Sequence, residues 1–146
     1  MKLIIDASVV VKWFVDEDDF EIARLLVEPG IERIAPDLVI AESINVLQRK
    51  ARFGELSHEQ ALDAVQRLSY FFDDLVSSAV LIERGYQLSW LLDHSVYDCM
   101  YLALALQSDD CTLVTSDMKF VSKAVKAGFA DKIWTLEVVT RALATQ

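Results

Sequence analysis

Cysteine, histidine, positive charge and long apolar runs are all scarce in this 146-residue chain, and each scarcity removes a class of function. The two cysteines, Cys99 and Cys111, sit in apolar surroundings without a C-x-x-C spacing. Thiolate zinc sites and dithiol redox chemistry therefore lack their ligands, and both cysteines read as small buried hydrophobes. His58 falls in a predicted helix cap and His94 precedes Ser95; neither has a ligand-like partner in the sequence, so no catalytic histidine is assigned. Although 53% of the residues are hydrophobic, no uninterrupted apolar run approaches the roughly 18 to 20 residues that span a bilayer, which argues against membrane insertion. The opening "MKLIID" reaches Asp6 after three apolar positions, too few for the roughly 7 to 15 of a secretory signal, and a cytoplasmic location is expected. Lysine and arginine number 14 against 23 aspartates and glutamates, a net charge of −9. The field of the whole molecule thus repels nucleic acid, and any such role must use a local basic patch or a bound cation.

What is present is an alternation of short apolar runs with helical patterns, in a length suited to one domain over residues 1–146 with no repeat, low-complexity tract or linker. Strands are expected at 2–5, 32–35, 111–115 and 132–136. Helices are expected at about 7–15 and 19–28, from Asp37 as N-cap to near Gly54, from the Ser57-x-x-Gln60 capping box to about 72, at 78–92, 95–108 and 118–127, and at the end of the chain. Strands apolar on both faces and separated by helices indicate a parallel sheet covered on both sides, an α/β fold of three layers. The acidic run "DEDDFE" (16–21) reads as a solvated loop entering a helix.

In open parallel sheets ligands bind beyond the carboxyl ends of the strands, near the point where strand order reverses. Asp6 directly follows "LII" and Asp117 follows "LVTS", which sets carboxylates at the same edge of two predicted strands. Aspartate before a helix is also a favoured N-cap. Asp98, three residues after Ser95, fits the acidic position of a capping box, and the sequence leaves both roles open. Glu42 shares its helix face with Leu38, Val39, Asn45 and Val46, a mostly apolar surface with one amide, that of Asn45, able to hold a carboxylate. Two charges about 4 Å apart repel by roughly 4 kcal/mol at an effective dielectric of about 20. Four converging acids must therefore bind cations, take up protons or be offset by basic groups. Hard oxygen ligands favour Mg²⁺ or Mn²⁺ over zinc, and such ions activate water against phosphodiesters.

The segments "LIIDASV", "PDLVIAESINVL", "VYDCMYLALA" and "LVTSDMKF", in this order and spacing, resemble the PIN-domain ribonucleases, and most of all the VapC toxins of type II toxin–antitoxin pairs. The resemblance spans essentially the whole chain. It implies a PIN-like three-layer α/β/α fold with a central parallel sheet of four to five strands. It also implies an acidic metal pocket of Asp6, Glu42, Asp98 and Asp117, with Asp6 and Asp98 the foremost ligands and Thr115 a supporting hydroxyl bonded to Asp6. The implied activity is an Mg²⁺-dependent endoribonuclease, with Mn²⁺ able to substitute. The implied partners are an RNA substrate, a second copy in a homodimer and a VapB-like antitoxin whose C-terminal segment reaches the active site. Where some relatives carry a further acid just after the last aspartate, this chain has Met118, Lys119 and Phe120. One ion in the resting protein, with another recruited by the RNA phosphate, is the expectation.

Lys12, Arg49, Lys50 and Arg52 are the cations best placed to hold RNA phosphates, while Lys119, Lys123 and Lys126 form a stripe read as a solvated helix face. A haloacid-dehalogenase-like phosphatase needs D-x-D after its first strand, and Ser8 stands at the third position here. A response-regulator receiver needs an adjacent acidic pair and a late lysine, neither of which is present. A catalytically inactive PIN-fold RNA-binding or assembly module is the alternative reading, and the retention of all four acids argues against it.

Overall fold

The computed structural model describes residues 1–145. Its centre is a five-stranded, wholly parallel sheet of β1 (Lys2–Ile5), β2 (Glu32–Pro36), β3 (Asp74–Val76), β4 (Cys111–Val114) and β5 (Ile133–Trp134), in the order β3-β2-β1-β4-β5. Strand order reverses at β1: the chain leaves it for β2 on one side and later returns to pair β4 on the other. The crevice beyond the carboxyl ends of β1 and β4 is therefore the topological switch point. Strands β1 and β4 are almost wholly buried, in keeping with near-continuous apolar sequences covered on both faces.

Among the described residues, eight α-helices flank the sheet: α1 (Ala7–Val10), α2 (Phe20–Leu25), α3 (Leu38–Arg52), α4 (His58–Arg67), α5 (Ile82–Leu92), α6 (Val96–Ala105), α7 (Met118–Lys126) and α8 (Leu136–Ala144). Helix α6 buries every residue from Cys99 to Ala105 and packs on β1, β2 and β4. That is the environment a helix apolar on all sides requires. None of the helices in the described residues is long and apolar enough to cross a membrane. Both cysteines are free and buried, and burial pushes the Cys99 thiol up to about 12.

Several boundaries differ from the sequence pattern, for identifiable reasons. The first helix is one α turn followed by a 3-10 turn at Val11–Trp13. The helix opened by Ser57 has its full capping box, with Gln60 N donating to Ser57 Oγ at 3.0 Å and Ser57 N to Gln60 Oε1 at 2.8 Å, yet it stops at Arg67. A 3-10 turn over Leu68–Phe71 then leads into β3, a strand the sequence pattern did not predict. Asp37 stands at the start of α3 as expected, but its carboxylate accepts the Ser78 N–H at 3.0 Å instead of capping the helix. The far end of α3 stops as predicted, with Gly54 at φ +81°, in the left-handed region that glycine adopts without strain.

Candidate active site

Three element junctions and the inner face of α3 meet at the switch point. Asp6 follows β1, and its extended backbone begins α1 without side-chain capping, which frees the carboxylate. Asp6 Oδ2 accepts from Ser8 Oγ and from Thr115 Oγ1, each at 2.7 Å. Ser8 Oγ also accepts the Ser116 N–H at 3.0 Å, and Thr115 Oγ1 accepts the Asp117 N–H at 3.1 Å, so two hydroxyls tie the β1 and β4 ends together. Asp6 is only 6% exposed. Burial pushes its carboxyl up to about 6 against the opposing hydroxyl bonds, and the Asp98 charge pushes the same way.

Asp117, after β4, does both things the sequence left open. Its Oδ1 accepts the Phe120 N–H at 3.0 Å as the cap of α7, while its Oδ2 faces His94 Nε2 at 3.5 Å. Asp98 does not complete a capping box: Ser95 Oγ accepts from Tyr97 N, and Asp98 Oδ2 is bound by His94 Nε2 at 2.7 Å. Burial raises the Asp98 carboxyl, the His94 contact opposes that rise, and the Asp117 charge adds to it. Glu42 points from α3 into the same space, where Tyr101 Oη donates to its Oε1 at 2.7 Å. Burial first, then the charges of Asp6 and Asp98, push the Glu42 carboxyl up to about 7 despite the tyrosine. Asn45 lines the cavity, but the carboxylate of Glu42 is held by Tyr101 instead.

Asp6, Glu42, Asp98 and Asp117 thus border one open cavity of about 450 Å³, with Ser8, Asn45 and Ser116 in its wall. The predicted RNA cations divide. Lys12 and Lys50 reach the cavity wall, but Glu17 holds both, at 3.4 Å and 2.8 Å, and Lys50 also meets Glu55 at 3.5 Å. Glu17 comes from the acidic run expected to be a solvated loop; burial opposes its charge, yet the two lysines hold its carboxyl below the ordinary range. Arg49 and Arg52 do not line the cavity; Arg52 borders a separate apolar groove between α3 and α4, with Leu47, Ala61, Leu62 and Val65.

Four contributors were not named from sequence. Ser8 lies two residues beyond a strand-terminal aspartate, Tyr101 one helical turn after Asp98, and Glu17 within a charged run. His94, to which no ligand-like partner was assigned, sits against Asp98 and Asp117, four residues ahead of the former. The i, i+4 spacing was the available signal.

Asp98 and Asp117, with His94, offer ligand atoms within 4.8 Å of one another, a spacing that could hold a cation, while Asp6 and Glu42 border the same cavity outside that close group. Three of the four carboxyls are raised, first by burial and then by one another's charges, against the hydrogen bonds that Ser8, Thr115, Tyr101 and His94 make to them. The Ser116 Oγ in the cavity wall is buried without a partner among the described residues. A family model, the PIN domain, matches residues 3–126. The chain belongs to the PIN-domain family. Among PIN-domain relatives, it is 32% identical over 125 residues to ribonuclease VapC3 of Pyrobaculum aerophilum, covering 84% of this chain and 95% of that one. It is equally 32% identical over 122 residues to ribonuclease VapC1 of Mycobacterium tuberculosis, covering 82% of this chain and 88% of the relative. The crystal structure of PAE2754 from P. aerophilum superposes with a TM-score of 0.67 at 19% identity, covering all of this chain and 91% of the other. M. tuberculosis VapC20, described as a sarcin-ricin loop cleaving toxin, gives 0.63 at 21% identity, covering 88% and 97%. These two likenesses show a shared fold, in keeping with the PIN-domain match and with the parallel sheet described above.

Proposed function

We propose that this PIN-domain protein is a divalent-cation-dependent endoribonuclease and the toxin of a toxin–antitoxin pair, working on RNA in the cytoplasm. The observation that carries the nuclease reading is the convergence of four carboxylates at the switch point, three of them raised by burial and mutual repulsion. Asp6, Glu42, Asp98 and Asp117 would hold Mg²⁺, with Mn²⁺ able to replace it. Such an ion, when bound, polarises a phosphoryl oxygen and lowers the pKa of water.

The chain's own residues do the rest. Ser8 and Thr115 fix the Asp6 carboxylate in the cavity wall by two hydrogen bonds to Oδ2. Tyr101 holds one oxygen of Glu42 in the same way. Without an ion, burial raises the Glu42 carboxyl to about 7, so a proton competes with the cation there near neutrality. Lys12 and Lys50 border the cavity as phosphate contacts once RNA competes with Glu17 for them. The named ribonuclease activity of both VapC relatives supports RNA as the substrate class. The same kinship supports a VapB-like antitoxin and a homodimer as partners.

The test is RNA incubated with the purified protein in Mg²⁺, in Mn²⁺ and in chelator, with product ends mapped. Cleavage at defined positions in either metal and none in chelator is expected. Tight RNA binding without cleavage in any divalent metal would instead identify an inactive binding module.

A further inference from the structure

We propose that His94, Asp98 and Asp117 form a cation site of their own, one that takes a first-row transition-metal ion, Mn²⁺ or a heavier one, in preference to Mg²⁺. The inference rests on the metallonuclease reading insofar as Asp98 and Asp117 are shared with it. One donor atom from each of the three residues lies within 4.8 Å of the other two. Neighbouring ligands of a six-coordinate ion bound at about 2.1 Å stand about 3.0 Å apart. His94 Nε2 is 2.7 Å from Asp98 Oδ2 and 3.5 Å from Asp117 Oδ2, two spacings that bracket that value.

The imidazole is held in that direction by the fold. Its ring stacks on Phe120, centroids 4.6 Å apart and planes within 7°. Phe120 is itself fixed by its N–H bond to Asp117 Oδ1, so a single residue links the ring to the second carboxylate. The His94 backbone N–H is bound to Ser89 O at 3.1 Å, and its side chain is only 10% exposed. The oxygen of Asp117 not used in capping is the one turned to the ring.

The chemistry of the donors sets the preference. Mg²⁺ gives up water reluctantly and prefers oxygen, whereas imidazole nitrogen strengthens binding of Mn²⁺ and increasingly of the later divalent ions. Met118, Lys119 and Phe120 after Asp117 supply no further acid, and from sequence a second ion was expected only with RNA. His94 supplies the missing donor from the turn between α5 and α6.

The full-length protein without a histidine tag is dialysed against Mn²⁺ with and without a tenfold excess of Mg²⁺, and bound Mn²⁺ is read by pulsed EPR. We expect two Mn²⁺ per chain, with ¹⁴N coupling from a coordinated imidazole, and we expect Mg²⁺ to displace the ion without nitrogen first. In His94→Ala the ¹⁴N signal is lost and one Mn²⁺ binds at least tenfold more weakly, whereas His58→Ala keeps both. Should His94→Ala fail to fold by circular dichroism, the wild-type and His58→Ala spectra decide alone, because these are the only two histidines. Absence of imidazole coupling in the wild type, or its survival in folded His94→Ala, overturns the proposal. A wild type that cleaves RNA in Mg²⁺ but shows no coupling loses this site and keeps the nuclease reading. Coupling in a protein that cleaves no RNA under any metal does the reverse.

Discussion

At the scale of single residues, Thr115 carries more than its size suggests. Its hydroxyl donates to Asp6 and accepts from the Asp117 amide, and it is fully buried. Thr115→Val keeps the volume and leaves both partners short of a hydrogen bond, a loss of about 1–3 kcal/mol in stability. Supporting bonds of this kind are typically worth 10- to 100-fold in metal affinity or activity. RNA cleavage by Thr115→Val should fall by about that range, and Thr115→Ser should recover most of it; an unchanged Val variant would show that Asp6 does not need this support. The four acids were legible from sequence because three stand at strand ends or helix starts and the fourth interrupts an apolar helix face. The groups that hold them were less so. Ser8 reaches Thr115 across 107 positions and Tyr101 reaches Glu42 across 59, pairings that only the folded sheet creates. His94 has a visible i, i+4 relation to Asp98, but Asp93 at φ +48° ends α5 and places His94 outside any helix, where that rule carries little weight.

At the scale of elements, strand β3 went unpredicted because it has three residues, begins with an aspartate and lies at the sheet edge, paired only with β2. Its preceding aromatics carry core packing instead: Phe71 and Phe72 lie 5.5 and 5.8 Å from the Trp13 ring. The α5–α6 pair depends on Gly85, where an added Cβ would stand 2.7 Å from Met100 Cγ and 3.3 Å from Met100 N. The side chain can yield but the α6 backbone cannot without moving Asp98, so Gly85→Ala should cost about 1–3 kcal/mol by denaturant titration. A Gly85→Ala protein as stable as the wild type would mean that the two helices separate freely. The segment between the first 3-10 turn and α2 supplies Glu17, which holds Lys12 and Lys50 at the cavity wall. Glu17→Gln should loosen both cations, leaving Lys12 on Asp18 O and Lys50 on Glu55, and should tighten RNA binding and make it more steeply salt-dependent. Binding unaffected by the substitution in filter-binding assays at two salt concentrations would remove these lysines from the RNA path.

At the scale of the whole molecule, a net charge of −9 and a cavity walled by acids make the metal-free protein electrostatically self-opposed. The three-layer parallel fold was legible in the apolar strands, but the strand order was not, since adjacency of β1 and β4 is set by packing over more than a hundred residues. That order is what turns separate acids into one site. Folded Asp6 keeps its proton up to about pH 6 and Glu42 up to about pH 7, whereas the unfolded chain has released both near pH 4. The folded state therefore binds more protons in that window, and stability falls as pH rises through it. For buried Asp6 the effect is on the order of 2–3 kcal/mol. In chelator, the Tm should drop between pH 5 and pH 7.5, Asp6→Asn should flatten the slope, and Mn²⁺ should restore stability most at the higher pH. A Tm that rises over this interval in chelator would contradict the raised carboxyls.

The central claim is that these carboxylates make the protein a metal-dependent ribonuclease, and the most direct measurement is the RNA cleavage rate of wild type and Asp6→Asn purified in parallel, in Mg²⁺, with folding checked by circular dichroism. The account predicts a loss of at least a hundredfold in a folded Asp6→Asn protein. A folded Asp6→Asn protein that cleaves RNA at the wild-type rate would contradict it.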